Sequence, residues 1–289
     1  MPTMQTEVTK DVGTIYWSGL FPFLFKDSRM TAIATVYTVG GFVIGADGRS
    51  RARGPDPTKV TEGMKARHDR EDNRKIFCIA DADKTLAYAF MGTVANDENT
   101  FDLYEETNRQ SKLLSSRYFD TCYDYVYKLA LGLKRAFNDA RKDGRLDAWY
   151  SNEDLGEEDN LIARMMLVGY FRGKPSWTIA EFRSFDDRAK LQVQPIPTPG
   201  GIVTAGGKLM PKLLFQDKDP RFAQYIRPTG TDTTLEQGAN AAKSFIEACS
   251  TPLAAELDPV CKSVGGHIHI AAVTPDGFKW LIPPKNLEP

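Results

Sequence analysis

The stretch from Thr31 to Arg49, TAIATVYTVGGFVIGADGR, constrains the fold more than any other part of the chain. Two apolar runs flank Gly40-Gly41, and the second ends at Asp47-Gly48-Arg49. Val36, Phe42, Val43 and Ile44 suit buried strands, and paired glycines suit a tight turn, so the stretch reads as a β-hairpin. The rest of the chain is then its scaffold. Two readings of Thr31 follow: a strand residue that carries a hydroxyl, or a nucleophile.

The remaining pattern supplies that scaffold. Lys75–Ala80 and Thr85–Met91 read as strands joined by a turn at Asp81–Lys84, with Gly92 ending the second. A helical pattern follows over Asn96–Leu114, and a clearer one over Tyr118–Ala140, with Cys122, Val126, Leu129, Leu133 and Phe137 on one face. Leu161–Phe171 and Trp177–Phe185 read as strands either side of a Lys174-Pro175 turn. Leu191–Val203 reads as one extended piece, broken by three prolines and followed by a Gly-rich turn at Thr204–Gly207. Lys208–Thr234 is irregular, with one short helical segment near Phe222. Glu236–Glu256 reads as a helix, and His267–Val273 and Phe278–Ile282 as the closing strands. Runs of strands alternate with runs of helices, which predicts an α+β protein with largely antiparallel sheets and helices on their outer faces. No internal repeat is present.

Length and composition set outer bounds. A chain of 289 residues buries a sizeable core, and 42% hydrophobic with 26% charged residues is a globular balance. A net charge of -1 argues against a general nucleic-acid or membrane-surface binder. Cys78, Cys122, Cys249 and Cys261 lie far apart with no C-x-x-C, which fits free thiols in a reducing compartment. No run reaches the length of a membrane span. Glu7, Lys10 and Asp11 precede the aromatic Tyr16–Phe25 run and no small-residue cleavage site follows, so no signal peptide is read and the cytoplasm is the expected compartment. The mixed-charge loop at 50–74 and the acidic run at 152–159 read as solvated segments.

Residues 1–30 stand apart from the regular elements, and 31–289 form the expected single domain. Three readings of 1–30 stand: an extension packed on the domain, a propeptide, or residues upstream of a natural start at Met30. The choice decides the chemistry. A threonine hydroxyl needs a base to take its proton, and a threonine at a free N-terminus carries one in its own α-amine. That amine has a pKa of about 8 in model peptides. A nearby lysine favours the deprotonated species, a buried aspartate holds the lysine, and a backbone N–H at a strand-to-helix turn serves as oxyanion donor. Thr31 as nucleophile, Lys75 as charge partner, Asp47 as orienter and Gly92 as oxyanion donor fill these roles.

These residues and their order carry a resemblance. Thr31, the Ala46-Asp47-Gly48-Arg49 strand end, a strand-leading Lys75 and Met91-Gly92 before a long helix resemble proteasome β-type subunits of the N-terminal-nucleophile (Ntn) hydrolase superfamily. The 16-residue offset from Thr31 to Asp47 is also the family's. Later signs are Leu167-Val-Gly-Tyr, Ala205-Gly206-Gly207 and Gly265-Gly266 followed by Thr274-Pro-Asp-Gly, so the resemblance spans about residues 31 to 283. It implies a four-layer αββα sandwich, hydrolysis of a peptide or other amide, and self-association, with a ring and a partner ATPase as further options that nothing in the chain specifies. No cofactor and no metal are expected. The chain departs from the pattern in places: Gly206 stands where the family has a turn serine, and Val264 where it has a serine before the glycines. Asp258, Cys261 and Ser263 are the nearby candidates to replace the family's Asp/Ser pair, and Met30 precedes Thr31 where self-processing members carry Gly. If residues 1–30 stay attached, Thr31 has no free amine, and the chain is a non-catalytic structural or assembly subunit. A ligand-binding domain on the same fold is a third reading.

Weaker signals favour plain readings. Gly201–Lys208 lacks the Lys-Ser/Thr order of a phosphate-binding loop and reads as a turn. His267 and His269, on one face of a strand, are too few for a zinc site and read as core or edge residues, and His68 sits in a polar loop.

Overall fold

The computed structural model describes residues 31–50, 62, 70–92, 95, 100–146, 161–183, 190–193, 198–207 and 209–287. The extension over 1–30, most of the 50–74 loop with His68, and the acidic run at 152–159 lie outside the described residues.

The opening hairpin is present: β1 (Ile33–Thr38) pairs antiparallel with β2 (Gly41–Ala46), Thr38 opposite Gly41. The turn is one residue earlier than the sequence suggests, at Val39-Gly40, and Gly41 begins β2. A side chain at Gly41 is excluded, because its φ is 133° and a Cβ there would lie 2.3 Å from the Val273 carbonyl. Beyond the hairpin come β3 (Ile76–Ala80), β4 (Lys84–Gly92), α1 (Leu103–Leu114), α2 (Cys122–Lys142), β5 (Leu161–Phe171) and β6 (Lys174–Arg183). They are followed by β7 (Lys190–Val193), β8 (Ile202–Ala205), α3 (Leu235–Cys249), α4 (Pro252–Leu257), β9 (His269–Thr274) and β10 (Gly277–Ile282).

The strands form two five-stranded antiparallel sheets, ordered β10-β9-β2-β1-β8 and β3-β4-β5-β6-β7. Alternation along the strands assigns the layers. Ile33, Phe42 and Ile44 of the first sheet meet Ala87, Ala89, Met166, Val168 and Trp177 of the second in a central core. The other face of β1–β2, with Ala34, Val36 and Val43, packs on Ala242, Phe245 and Ile246 of α3. The other face of β4, with Leu86, Tyr88 and Phe90, packs with Leu103 of α1 and Val126, Leu129, Leu133 and Phe137 of α2. Helix, sheet, sheet, helix: this is the expected four-layer αββα sandwich, an α+β architecture.

Element ends follow local chemistry. Helix α1 starts at Leu103 rather than 96 because the Asp102 carboxylate accepts from the Tyr104 and Glu105 N–H groups. Helix α2 starts at Cys122 rather than 118, where Thr121 caps the Asp124 N–H. The helix expected over Glu236–Glu256 is two helices. Thr251 caps Ala254 and Pro252 opens the second, so the chain re-nucleates rather than continues. The turn placed at Lys174-Pro175 is Arg172-Gly173, whose φ values of 50° and 72° suit a two-residue hairpin loop, and Pro175 is a strand residue opposite Tyr170. The extended piece at 191–203 divides: β7 ends one edge of the second sheet and β8 joins an edge of the first. The irregular 208–234 stretch holds two short helical turns, Lys212–Gln216 and Pro220–Tyr225, with Phe222 buried. Among the described residues no helix is long and apolar enough to cross a membrane.

Candidate active site

Asp47 follows β2 directly, and its backbone N–H still pairs with the Ala32 carbonyl at 3.2 Å. Its carboxylate is 0% exposed and surrounded by donors. Oδ1 accepts from the Ala32 N–H at 2.9 Å, and Oδ2 accepts from Gly265 at 3.1 Å and Arg49 at 3.3 Å. Burial pushes this carboxyl above its ordinary range, against the opposing pull of Lys75 and the Gly265 and Ala32 N–H groups.

Lys75 comes from the other sheet, one residue before β3, and only 7% of it is exposed. Its Nζ donates to Thr31 Oγ1 at 2.9 Å, to Asp47 Oδ1 at 3.3 Å and to the Arg49 carbonyl at 2.5 Å. Three acceptors match the three protons of an ammonium. Burial draws its pKa below the ordinary lysine range while the Asp47 charge opposes the shift. The Lys75 carbonyl accepts from Tyr104 Oη at 3.2 Å, and its N–H donates to His269 Nε2 at 2.9 Å.

Thr31 sits just before β1, 8% exposed, so the structure brings Thr31, Asp47 and Lys75 into one contact. Gly92 is placed by register rather than by a contact. It closes β4 with φ 94°, and the Ile76–Ala89 pairing puts it at the same end of the sheet as Lys75. The Thr93 that follows it lies outside the described residues.

The glycines around the site have steric reasons. A Cβ on Gly206 would lie 2.1 Å from the Thr31 carbonyl oxygen and 2.8 Å from Ala32 Cα, at a φ of 87°. The backbone approach at Gly206 therefore admits no side chain. Gly48 of the A-D-G-R run lies under the His267 and Glu71 carbonyls, where a Cβ would come within 2.6 Å and 2.9 Å. Arg49 Nε pairs with Glu71, Nη1 donates to the Val264 carbonyl at 2.8 Å, and the guanidinium covers Gly265.

The segment from Asp258 to Gly266 reaches the site through backbone: the Gly265 N–H on Asp47. Asp258 accepts from the Leu209 N–H at 2.7 Å, and Ser263 Oγ donates to the Val260 carbonyl at 3.2 Å. Cys261 is buried beside Cys249. All four cysteines are free, and burial raises the Cys78 and Cys122 thiols to about 11, which weighs against either as a thiolate nucleophile. Residues 202–205 of the Gly201–Lys208 run are strand, and Lys208 lies outside the described residues.

His269 is the site residue that sequence reasoning missed. It opens β9 opposite Ala46 and is 1% exposed, whereas His267 precedes the strand, its Nε2 2.8 Å from the Pro283 carbonyl. Burial, with Lys75 adjacent, drives the His269 pKa down to about 3, so the ring is neutral near pH 7. The local sequence signal was only a histidine in a strand. Its contact with Lys75 spans 194 residues of chain.

No family model matches the chain, and no curated protein matches it. Solved structures do. Anbu (ancestral beta-subunit) from Yersinia bercovieri shares 13% identity over 87% of this chain and 87% of that one, with a TM-score of 0.47. The Anbu (Gly-1) mutant from Hyphomicrobium sp. strain MC1 shares 16% over 87% of this chain and 84% of that one, also at 0.47. At these values neither structure speaks to what this chain does. The resemblance to proteasome β-type subunits is corrected by the first finding: no model of that family, or of any other, takes in the chain. The short motifs behind it mark an architecture.

Proposed function

We propose that the chain is an N-terminal threonine hydrolase of peptides or other amides, with residues 31–289 as its mature domain and Thr31 as its nucleophile once the Met30–Thr31 bond is cut. The observation that carries this reading is the buried contact of Lys75 Nζ with Thr31 Oγ1 at 2.9 Å, backed by Asp47. In this mechanism the freed α-amine takes the Oγ1 proton as Oγ1 attacks the amide carbon. The Lys75 charge stabilises the developing alkoxide, and Asp47 keeps Lys75 aimed. The Gly92 N–H serves as oxyanion donor. The tetrahedral intermediate collapses with the amine returning the proton to the leaving nitrogen. Water then attacks the ester on Oγ1 and releases the acid.

One observation favours a second reading, a non-catalytic chain of the same fold. The turn at Gly206 offers no hydroxyl to Thr31. Intact-mass measurement of natively expressed protein separates the two: a terminus at Thr31 is expected, and one that stays upstream refutes the enzyme. With that terminus established, Thr31→Ala is expected to abolish turnover of a fluorogenic peptide, a loss of at least about a thousandfold given what removal of a nucleophile costs, while the protein stays folded. Undiminished turnover removes Thr31 from the chemistry.

A further inference from the structure

Lys75 has an unusual place in the sandwich. It belongs to the second sheet, yet all three acceptors of its ammonium belong to the Thr31–Arg49 hairpin. The β3–β4 ladder begins at Ile76 opposite Ala89, so the Lys75 N–H stands just outside that ladder. Its acceptor is instead the His269 imidazole, reaching from β9 of the opposite sheet. In the first sheet His269 lies opposite Ala46, the neighbour of Asp47. One strand pair thus presents both the carboxylate that takes the Lys75 ammonium and the ring that takes its backbone.

We infer that His269 is a positioning residue: its unprotonated Nε2 fixes the Lys75 backbone so that Nζ meets Thr31 Oγ1 and Asp47 together. An imidazole that accepts at Nε2 carries its proton on Nδ1. Burial and the facing charges Lys75, Arg74 and His267, cationic or able to become so, favour that neutral form over the opposing pull of a hydrogen bond with the His267 backbone, and Trp280 lies edge-on at 6.1 Å. Without the acceptor, the Lys75 N–H is left unpaired in a buried place, and the strand start is free to shift. Displacements of about 1 Å at a catalytic group cost up to about a hundredfold in rate.

The role rests on the proposed threonine chemistry, and its test includes a readout that does not. Natively expressed protein with its terminus at Thr31 would be compared with His269→Gln, whose Oε1 replaces the Nε2 acceptor, and His269→Leu, which has none. The titration of Lys75 is followed through its ε-carbon by NMR, and kcat and KM are measured on a fluorogenic peptide. His269→Leu is expected to shift the Lys75 titration and to lower kcat by about tenfold or more with little change in KM, and His269→Gln to restore both. Unchanged Lys75 titration and unchanged kcat per folded molecule in His269→Leu overturn the inference. If wild-type protein hydrolyses nothing, the function fails while the Lys75 titration still decides the role of His269. If His269→Leu does not fold, nitrogen-15 spectra of the wild-type ring decide. A protonated Nδ1 with scalar coupling from Nε2 to the Lys75 amide supports the role, and a protonated Nε2 overturns it.

Discussion

Acid should destabilise this fold through His269, by an amount the structure sets. The ring is buried among Lys75, Arg74 and His267, and its pKa lies near 3 against an ordinary 6.5. A depressed folded pKa means that the unfolded chain binds the proton first. The stability tied to the neutral ring is therefore whole above pH 6.5 and falls away as pH drops toward 3. At pH 4 the loss amounts to about 3 kcal/mol, from the pKa gap at 1.36 kcal/mol per unit. A fall of this size is a large share of the stability of an ordinary domain, about 5–15 kcal/mol. The comparison that isolates it is His269→Gln, which keeps an acceptor for the Lys75 N–H but has nothing to protonate. Urea unfolding of both proteins at pH 7, 5.5 and 4 cancels every other titrating group. The difference in unfolding free energy should move by about 3 kcal/mol in favour of the variant between pH 7 and pH 4. Parallel pH curves for the two proteins would refute the burial of a neutral ring at this position.

Three other perturbations follow from the same geometry. Gly206→Ala adds a Cβ against the Thr31 carbonyl at a positive φ, so a loss of about 2 kcal/mol or more is expected in urea unfolding; full stability would mean that the approach is looser than it stands. Asp47→Asn removes the anion beside a buried ammonium, and should cost about 3–5 kcal/mol at pH 7, measured by the shift of the unfolding midpoint; a change under about 1 kcal/mol would contradict the ion pair. Thiol alkylation by iodoacetamide at pH 8 should be slow at Cys78 and Cys122 in the native protein, since burial holds both thiols near 11, and fast after unfolding; native labelling at the unfolded rate would contradict that burial.

What could be read from the sequence was local. The hairpin and the helix faces rest on periodicities of two and 3.6, which survive in the structure, and the element order gave an α+β protein; the four-layer αββα arrangement was what the resemblance implied. Asp47 and Lys75 were singled out by the roles a threonine nucleophile needs and by the order of the motifs around them, and the structure places both side chains in contact. The misplaced features lay where one residue has two uses. Pro175 marks a turn in the abstract, but here it tolerates a strand position. Pro252 marked a helix break that the apolar spacing across 236–256 concealed, although Thr251 in front of it was a cap signal. His269 and the Gly265 N–H were beyond local reading. They meet Lys75 and Asp47 across 194 and 218 residues of chain, and only the pairing of β9 with β2 brings them there. The proteasome resemblance rested on short motifs in a fixed order, and no family model takes in the chain.

The Thr31–Lys75 contact joins one sheet to the other. Neither sheet holds the constellation alone: Thr31 and Asp47 flank strands of the first, Lys75 leads a strand of the second, and Trp177 and Phe42 lock the two together at their shared core. The environment that would activate the hydroxyl therefore exists only after the halves have closed on each other. A chain still folding, or one whose sheets have slipped by a residue, presents Thr31 as an ordinary alcohol. Closure of the sandwich acts as an assembly interlock on whatever reactivity that hydroxyl has.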